Sequence, residues 1–188
     1  MRLYVIRHGE SESNKNGVFT GWVDAPLTDK GRSDARRVGE FLRDVTFDKV
    51  YSSDLSRAVE TASIAYPDTV PETRCDLREM NLGILAGKAI DGLSDEERAA
   101  YSSGEYKSVG GESREEFVER VRLFLSEAST LECERVAVFA HAGVLRTFMD
   151  LIVGTRLPRA RVICKNCAVG IFEYSADAWK IHSYVNLD

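Results

Sequence analysis

The chain has 188 residues, a formal net charge of -5 and three histidines. That length suits one domain, and 44% hydrophobic with 29% charged residues is the composition of an ordinary soluble globular protein. The mild acidity argues against a nucleic-acid surface or a polybasic membrane anchor, both of which need clustered cations, yet leaves room for a local basic pocket.

The first residues run straight into an apolar strand-like stretch at 3–6, with no leader-peptide core or small-residue cleavage site before it. No apolar run approaches the roughly 20 residues of a membrane span, so a cytoplasmic protein is expected. Arg7-His8-Gly9-Glu10 come next. A helix is predicted over 31–42, with Ala35, Val38, Phe41 and Leu42 on one face. A second buried strand at 49–51 leads into Ser52-Ser53-Asp54-Leu55-Ser56-Arg57 and a helix over 55–65.

Residues 79–111 are polar, glycine- and serine-containing and weakly periodic, and read as a short lid around 80–111 within a single domain spanning 1–188. Ser94 and Glu97 have capping-box spacing there, and Tyr101, Tyr106 and Lys107 are candidate contacts on a segment that otherwise reads as surface. Ser113 and Glu116 repeat that spacing before a helix over 114–131 with Phe117, Val121, Phe124 and Leu125 in its stripe; the charged run 112–122 reads as its solvated face. A third buried strand at 136–140 ends at His141. Runs at 168–174 and 178–184 flank Ser175-Ala176-Asp177 and read as a terminal hairpin. Cys164 and Cys167 form a Cys-x-x-Cys pair, but it precedes a strand instead of opening a helix, and no histidine stands at metal-ligand spacing from any cysteine, so neither a redox motif nor a metal is expected. His182 lies in the last strand, away from every motif.

The alternation of strands and helices predicts an α/β fold: a three-layer α/β/α sandwich around a mostly parallel sheet, with an antiparallel strand near the C-terminus. Such sheets bind ligands beyond the carboxyl ends of their strands. His8 and Arg7, Arg57, and His141 fall at three of those ends. Two imidazoles with two guanidiniums suit a phosphoryl group, since arginine offers permanent charge and bidentate donors while histidine serves as nucleophile or donor.

These residues also sit in familiar surroundings. Arg7-His8-Gly9-Glu10-Ser11, the segment Phe19-Thr20-Gly21-Trp22-Val23-Asp24-Ala25-Pro26-Leu27-Thr28, Ser52 to Ala62, Arg78-Glu79-Met80-Asn81-Leu82-Gly83, Gly110-Gly111-Glu112-Ser113 and Ala140-His141-Ala142-Gly143-Val144-Leu145-Arg146 resemble, in order, the motifs of the histidine phosphatase superfamily, in its phosphoglycerate mutase-like branch. The resemblance implies that His8 takes the phosphoryl group, that Arg7, Arg57 and His141 clamp its oxygens, and that Glu79 serves the leaving oxygen and then water. It further implies that Asn14, Thr20, Gly21 and Ala142 contact the phosphate or the rest of the substrate, with no metal and no cofactor.

The superfamily contains mutases and phosphatases. The mutase pattern has a tyrosine where this chain has Leu82, a lysine where it has Ile90, and an arginine pair for the substrate carboxylate that is absent between Glu79 and Gly110. The compact length and the Leu77-Arg78-Glu79-Met80 stretch are similar to the alpha-ribazole phosphatase group, although Leu85-Ala86-Gly87 departs from it. The expectation is a metal-independent phosphomonoesterase acting on a small-molecule phosphate ester, with no nucleic-acid or membrane partner and a homodimer left open. The alternatives are a 2,3-bisphosphoglycerate-dependent phosphoglycerate mutase and a catalytically silent phospho-ligand binding module.

Overall fold

The computed structural model describes residues 1–158 and 162–187. Its strands and helices in chain order are β1 (Arg2–Arg7), α1 (Glu12–Lys15), α2 (Asp29–Leu42), β2 (Lys49–Ser53), α3 (Ser56–Ala65), β3 (Glu72–Arg74), α4 (Asp95–Ser103), α5 (Arg114–Ala128), β4 (Arg135–Ala140), α6 (Ala142–Val153), β5 (Val169–Ser175) and β6 (Ala178–Val185). The six strands form one sheet in the order β3-β2-β4-β1-β5-β6. The first four strands in chain order are mutually parallel, while β5 runs antiparallel to β1 and pairs with β6 as the predicted hairpin. The α/β architecture is therefore the one the sequence predicts. No helix among the described residues is long and apolar enough to cross a membrane.

Alternation along the central strands puts apolar side chains on both faces. Leu3 and Val5 of β1 and Val136 and Val138 of β4 join Phe117, Val121, Phe124, Val144 and Phe148 of α5 and α6 in one cluster. Tyr4 and Ile6, with Ala137 and Phe139, join Val38, Leu42, Ala62 and Ala65 of α2 and α3 in the other. Burying each large side chain contributes about 1.5–3 kcal/mol, so the two layers supply the main drive for folding. Phe41, expected in the stripe of α2, is exposed. It lies about 100° round the helix from Leu42, at the edge of the stripe.

The segment read as a polar lid is anchored from below. It holds α4, begun by the Ser94–Glu97 capping box, and it buries Leu85, Leu93, Ala100, Tyr106 and Val109 in the α5/α6 cluster. Short 3-10 turns at Gly83–Leu85, Ile90–Gly92 and Lys107–Val109 explain the weak periodicity. The Ser113–Glu116 box starts α5 as expected, and the helix stops at Ala128. Cys164 packs into one core cluster and Cys167 into the other, so their side chains diverge.

The β5–β6 turn is Ala176-Asp177, with φ of 52° and 57°. Two positive φ values are the backbone of a two-residue hairpin turn that favours Asn-Gly. Replacing the pair by Asn-Gly (Ala176→Asn with Asp177→Gly) is expected to stabilise the protein by about 1 kcal/mol, read as a higher urea midpoint at unchanged slope. An unchanged or lower midpoint would count against this reading of the turn.

Candidate active site

The carboxyl ends of β1, β4 and β2 bring the predicted residues together. The His8 N–H donates to the Ala140 carbonyl (3.0 Å), which continues the ladder one residue past β1. His141 comes directly after β4 and stands at the N-cap position of α6 without a side-chain bond to that helix. The two imidazoles meet edge to face, with centroids 5.2 Å apart. Arg7, His8, Asn14, Thr20, Gly21, Arg57, Glu79 and Ala142 line one cavity of about 310 Å³. His141 is fully buried behind His8.

The loop carrying His8 is held on every side. Its Nδ1 lies 2.6 Å from the Gly9 carbonyl oxygen. A carbonyl only accepts, so Nδ1 carries the proton and Nε2 keeps its lone pair. The Gly9 N–H donates to Thr61 Oγ1 (3.0 Å), whose hydroxyl donates to the Arg57 carbonyl (2.7 Å). Asn166 Nδ2 donates to both the His8 carbonyl and Asn14 Oδ1, each at 3.1 Å. A Cβ on Gly9 would sit 2.5 Å from the Gly31 oxygen, and one on Gly31 would sit 2.1 Å from the Glu10 oxygen. The two glycines thus let the first turn of α2 press against the histidine loop.

The charges are unusual for a buried place. Arg57 is 1% exposed and donates to the Val23 and Gly21 carbonyls at 3.0 and 2.8 Å. Burial lowers its pKa to about 10, so it stays charged at neutral pH. Arg7 donates to the Cys164 carbonyl. Burial, then the charge of Arg57, hold both imidazoles well below the ordinary histidine pKa of 6.5; Arg7 acts the same way on each. His141 Nε2 pairs with Ser53 Oγ (2.9 Å). Among the described residues five buried side-chain nitrogens keep no protein partner, and three of them belong to this cluster: Nε of Arg7, Nε of Arg57 and Nδ1 of His141. Orphaned buried donors are rare and costly, and an oxygen-rich anion would satisfy them.

Glu79 reaches the cavity from the other side. Its Oε1 accepts the Met80 N–H (2.9 Å) and its Oε2 the Gly143 N–H (3.0 Å) in the first turn of α6. A Cβ on Gly143 would fall 2.0 Å from Glu79 Oε1, so only glycine leaves the carboxylate its place. The Glu79 carbonyl accepts from Trp22 Nε1 (2.7 Å) and from Arg120 (2.9 Å).

Arg120 corrects the reading of 112–122 as a solvated face. Besides Glu79, it donates to the Asp76 and Arg78 carbonyls and pairs with Glu112, so its whole guanidinium is engaged around the Glu79 segment. The sequence does carry a signal for it: residue 120 is three after Phe117 and four before Phe124, on the apolar stripe itself. Tyr101 and Tyr106 line the cavity and are not mere surface, whereas Lys107 points away and pairs with Glu116 (2.6 Å). Arg114, Arg146 and Arg156 also line the cavity. Cations therefore reach it from α5, α6 and the loop after α6, all outside the Glu79–Gly110 stretch in which the sequence offers no arginine pair. His182 is half exposed, 4.0 Å from Glu173. Among the described residues, no group of three or more His, Cys, Asp or Glu is placed to hold a metal ion.

Residues 3–187 match the family model described as histidine phosphatase superfamily (branch 1). The chain belongs to the histidine phosphatase superfamily. A relative from Salmonella paratyphi A, called probable phosphoglycerate mutase GpmB, is 30% identical over 98% of this chain and 90% of its own. The alpha-ribazole phosphatase of Shigella flexneri superposes with a TM-score of 0.85 at 26% identity, covering 97% of this chain and 95% of its own. YhfR of Bacillus stearothermophilus gives 0.86 at 30% identity over 96% and 95%. The similarity in both directions spans nearly the full length, so the histidine phosphatase fold accounts for the lid segment as well as the sheet.

Gly143→Ala should displace the Glu79 carboxylate from both N–H donors while leaving inorganic phosphate or vanadate binding at the arginines within about threefold, seen by crystallography and titration; a variant with Glu79 unmoved would overturn the steric argument. The imidazoles should stay neutral in the native protein where unfolded histidines charge. The unfolded chain then binds more protons below pH 6.5, so stability is complete above that pH and declines as pH falls towards the lower native values. Unfolding free energies between pH 7 and 5 should slope upward with pH, and the slope should flatten in a His8→Gln, His141→Gln variant.

Proposed function

We propose that this histidine phosphatase superfamily member is a metal-independent phosphomonoesterase working through a phosphohistidine on His8. The observation that carries the reading is the convergence of a neutral, tautomer-fixed imidazole with three unsatisfied donors opposite a carboxylate on the far wall. The phosphoryl group of a small ester accepts from Arg7, Arg57 and His141 Nδ1. His8 Nε2 attacks phosphorus as the ester P–O bond breaks, and Glu79, entering this step protonated, gives its proton to the leaving oxygen. Water then attacks the phosphohistidine, Glu79 takes its proton, the P–N bond breaks, and inorganic phosphate departs with His8 restored. Positive charge on the equatorial oxygens is the main stabilising effect, as expected where positioning and electrostatics dominate phosphoryl transfer. Ala142, Thr20, Gly21 and Asn14 shape the phosphoryl end, and the first turn of α6 adds its partial positive charge there.

The names of the relatives favour two substrates for early testing, alpha-ribazole phosphate and a phosphoglycerate. A mutase would need the phosphohistidine to survive until a second phosphoacceptor enters; Leu82, in place of the mutase tyrosine, supports hydrolysis instead. His8→Ala is expected to abolish both phosphate release and acid-labile phosphoenzyme labelling from an ester substrate. Turnover in that variant would sink the mechanism, and formation of 2-phosphoglycerate from 3-phosphoglycerate well above hydrolysis would turn the assignment to a mutase.

A further inference from the structure

The loop from Cys164 to Ala168 straps the histidine loop from behind. The Arg7 N–H donates to the Ala168 carbonyl (2.9 Å), and its guanidinium donates to the Cys164 carbonyl. The Cys167 N–H donates to the His8 carbonyl (3.2 Å), and the Lys165 N–H donates to Asn186 Oδ1 (3.0 Å), beyond β6. Cys167 holds a φ of 58°, in the left-handed region that few side chains adopt, and such a conformation persists only where surrounding bonds over-determine it. Asn166 reaches from this strap to the cavity. Its Nδ2 donates one hydrogen to the His8 carbonyl and the other to Asn14 Oδ1, each at 3.1 Å. Asn14 Oδ1 also accepts the Ser11 N–H (3.2 Å). An amide oxygen has two lone pairs, so both are taken. What Asn14 has left for the cavity it lines beside His8 is Nδ2, a double donor. Among the described residues this nitrogen has no protein acceptor, and it is not one of the nitrogens closed off from solvent.

We propose that Asn166 is a positioning residue that fixes the side-chain amide of Asn14 with its N–H pair towards the phosphoryl group. The inference rests on the phosphomonoesterase reading, which places that group beside His8. A side-chain amide can present either end to a ligand, and the reversed end would set Oδ1 against an anion. Two donors on Oδ1 hold the productive end in place, so the N–H pair needs no reorientation when the anion arrives. Without Asn166 only the Ser11 bond remains on Oδ1. The His8 carbonyl depends on Asn166 less, because the Cys167 N–H still holds it. The strap thus acts through the Asn166 side chain and the main chain of its two cysteines, and neither thiol takes part.

The test is a double-mutant cycle. Asn166→Ala is expected to weaken vanadate binding, and to lower kcat/KM for a phosphate ester, by about tenfold, the scale of one charge-assisted hydrogen bond. Asn14→Ala should lose about as much, and the double variant no more than about twofold beyond Asn14→Ala, because both residues act through the same donors. A wild-type-like Asn166→Ala would overturn the proposal. So would a double variant whose loss is the product of the two single losses, since a residue that only braces the fold acts equally without Asn14. Asn166→Asp keeps the size of the side chain and serves if the alanine variant does not fold. Its carboxylate would meet the His8 and Asn14 oxygens, and the Asn14 amide should turn over to donate to it. Saturating inorganic phosphate should then shift the Asn14 side-chain amide resonances in the wild type and not in Asn166→Asp, read in proton–nitrogen correlation spectra. A shift kept in the variant, or absent from the wild type, would overturn the proposal. The spectra need no turnover. A wild-type protein that hydrolyses no ester yet shows the expected shifts would defeat the phosphomonoesterase reading and keep the role of Asn166. Hydrolysis without an Asn14 shift would do the reverse.

Discussion

Positive charge held in the interior is the constraint around which this molecule is arranged. Arg57 carries a guanidinium at 1% exposure, with two backbone carbonyls for partners and its Nε left over. Desolvating a charge is unfavourable unless it is paired and hydrogen-bonded. Here the compensation from the protein is partial. Burial first, and then the charge of Arg57, lowers the pKa of His8 and His141 and favours their neutral form, the state in which one imidazole can offer a lone pair and the other can donate without repelling the arginines. The apolar layers on both faces of the sheet provide the stability that offsets this unfavourable burial.

The two walls of the cavity are secured by different means. His8 and His141 emerge from adjacent parallel strands, so ladder hydrogen bonds set their separation. Glu79 comes from a stretch without a regular ladder, and its position depends on groups sent from elsewhere: Arg120 from α5, Trp22 from the loop before α2, and the amide of Gly143 in α6. Arg78 adds a bidentate pair with Asp54 and lies over the Trp22 ring at 4.8 Å, tying the same stretch to the end of β2. A rigid wall bearing the imidazoles thus faces a wall assembled from tertiary bonds.

Much of this is legible in the residues. The strands at 3–6 and 136–140 announce themselves as continuous apolar runs, and in a parallel sheet the residues just beyond such strands are confined to one edge; that places Arg7, His8 and His141. Ser94–Glu97 and Ser113–Glu116 mark the starts of α4 and α5 because a capping box is a local interaction. Three-residue β3 and the one-turn α1 leave no trace in the sequence pattern because elements that short carry no period. Arg120 reads as solvent-facing because a charged run looks solvated unless its angular position on the helix is counted. Arg146 ends the motif that begins at Ala140, whereas Arg114 gives no local signal because its place on the cavity depends on a helix separated from the lid in sequence and adjacent to it in space. Asn166, which bridges His8 and Asn14, sits between the two cysteines in a loop with no pattern to read.

The sequence by itself determined the α/β architecture, the hairpin at its end, the family, and the set of imidazoles, guanidiniums and carboxylate. These rest on periodicity, capping and strand ends, all of which act over a few residues. The tertiary structure alone decided that Nδ1 of His8 is the protonated nitrogen, that Nε of Arg7, Nε of Arg57 and Nδ1 of His141 have no protein partner, that Gly143 must lack a side chain to admit Glu79, and that Arg114, Arg146 and Arg156 line the cavity. Each of these depends on groups that meet across long separations in the chain, and hydrogen bonding and charge are set by that proximity, which no local pattern encodes.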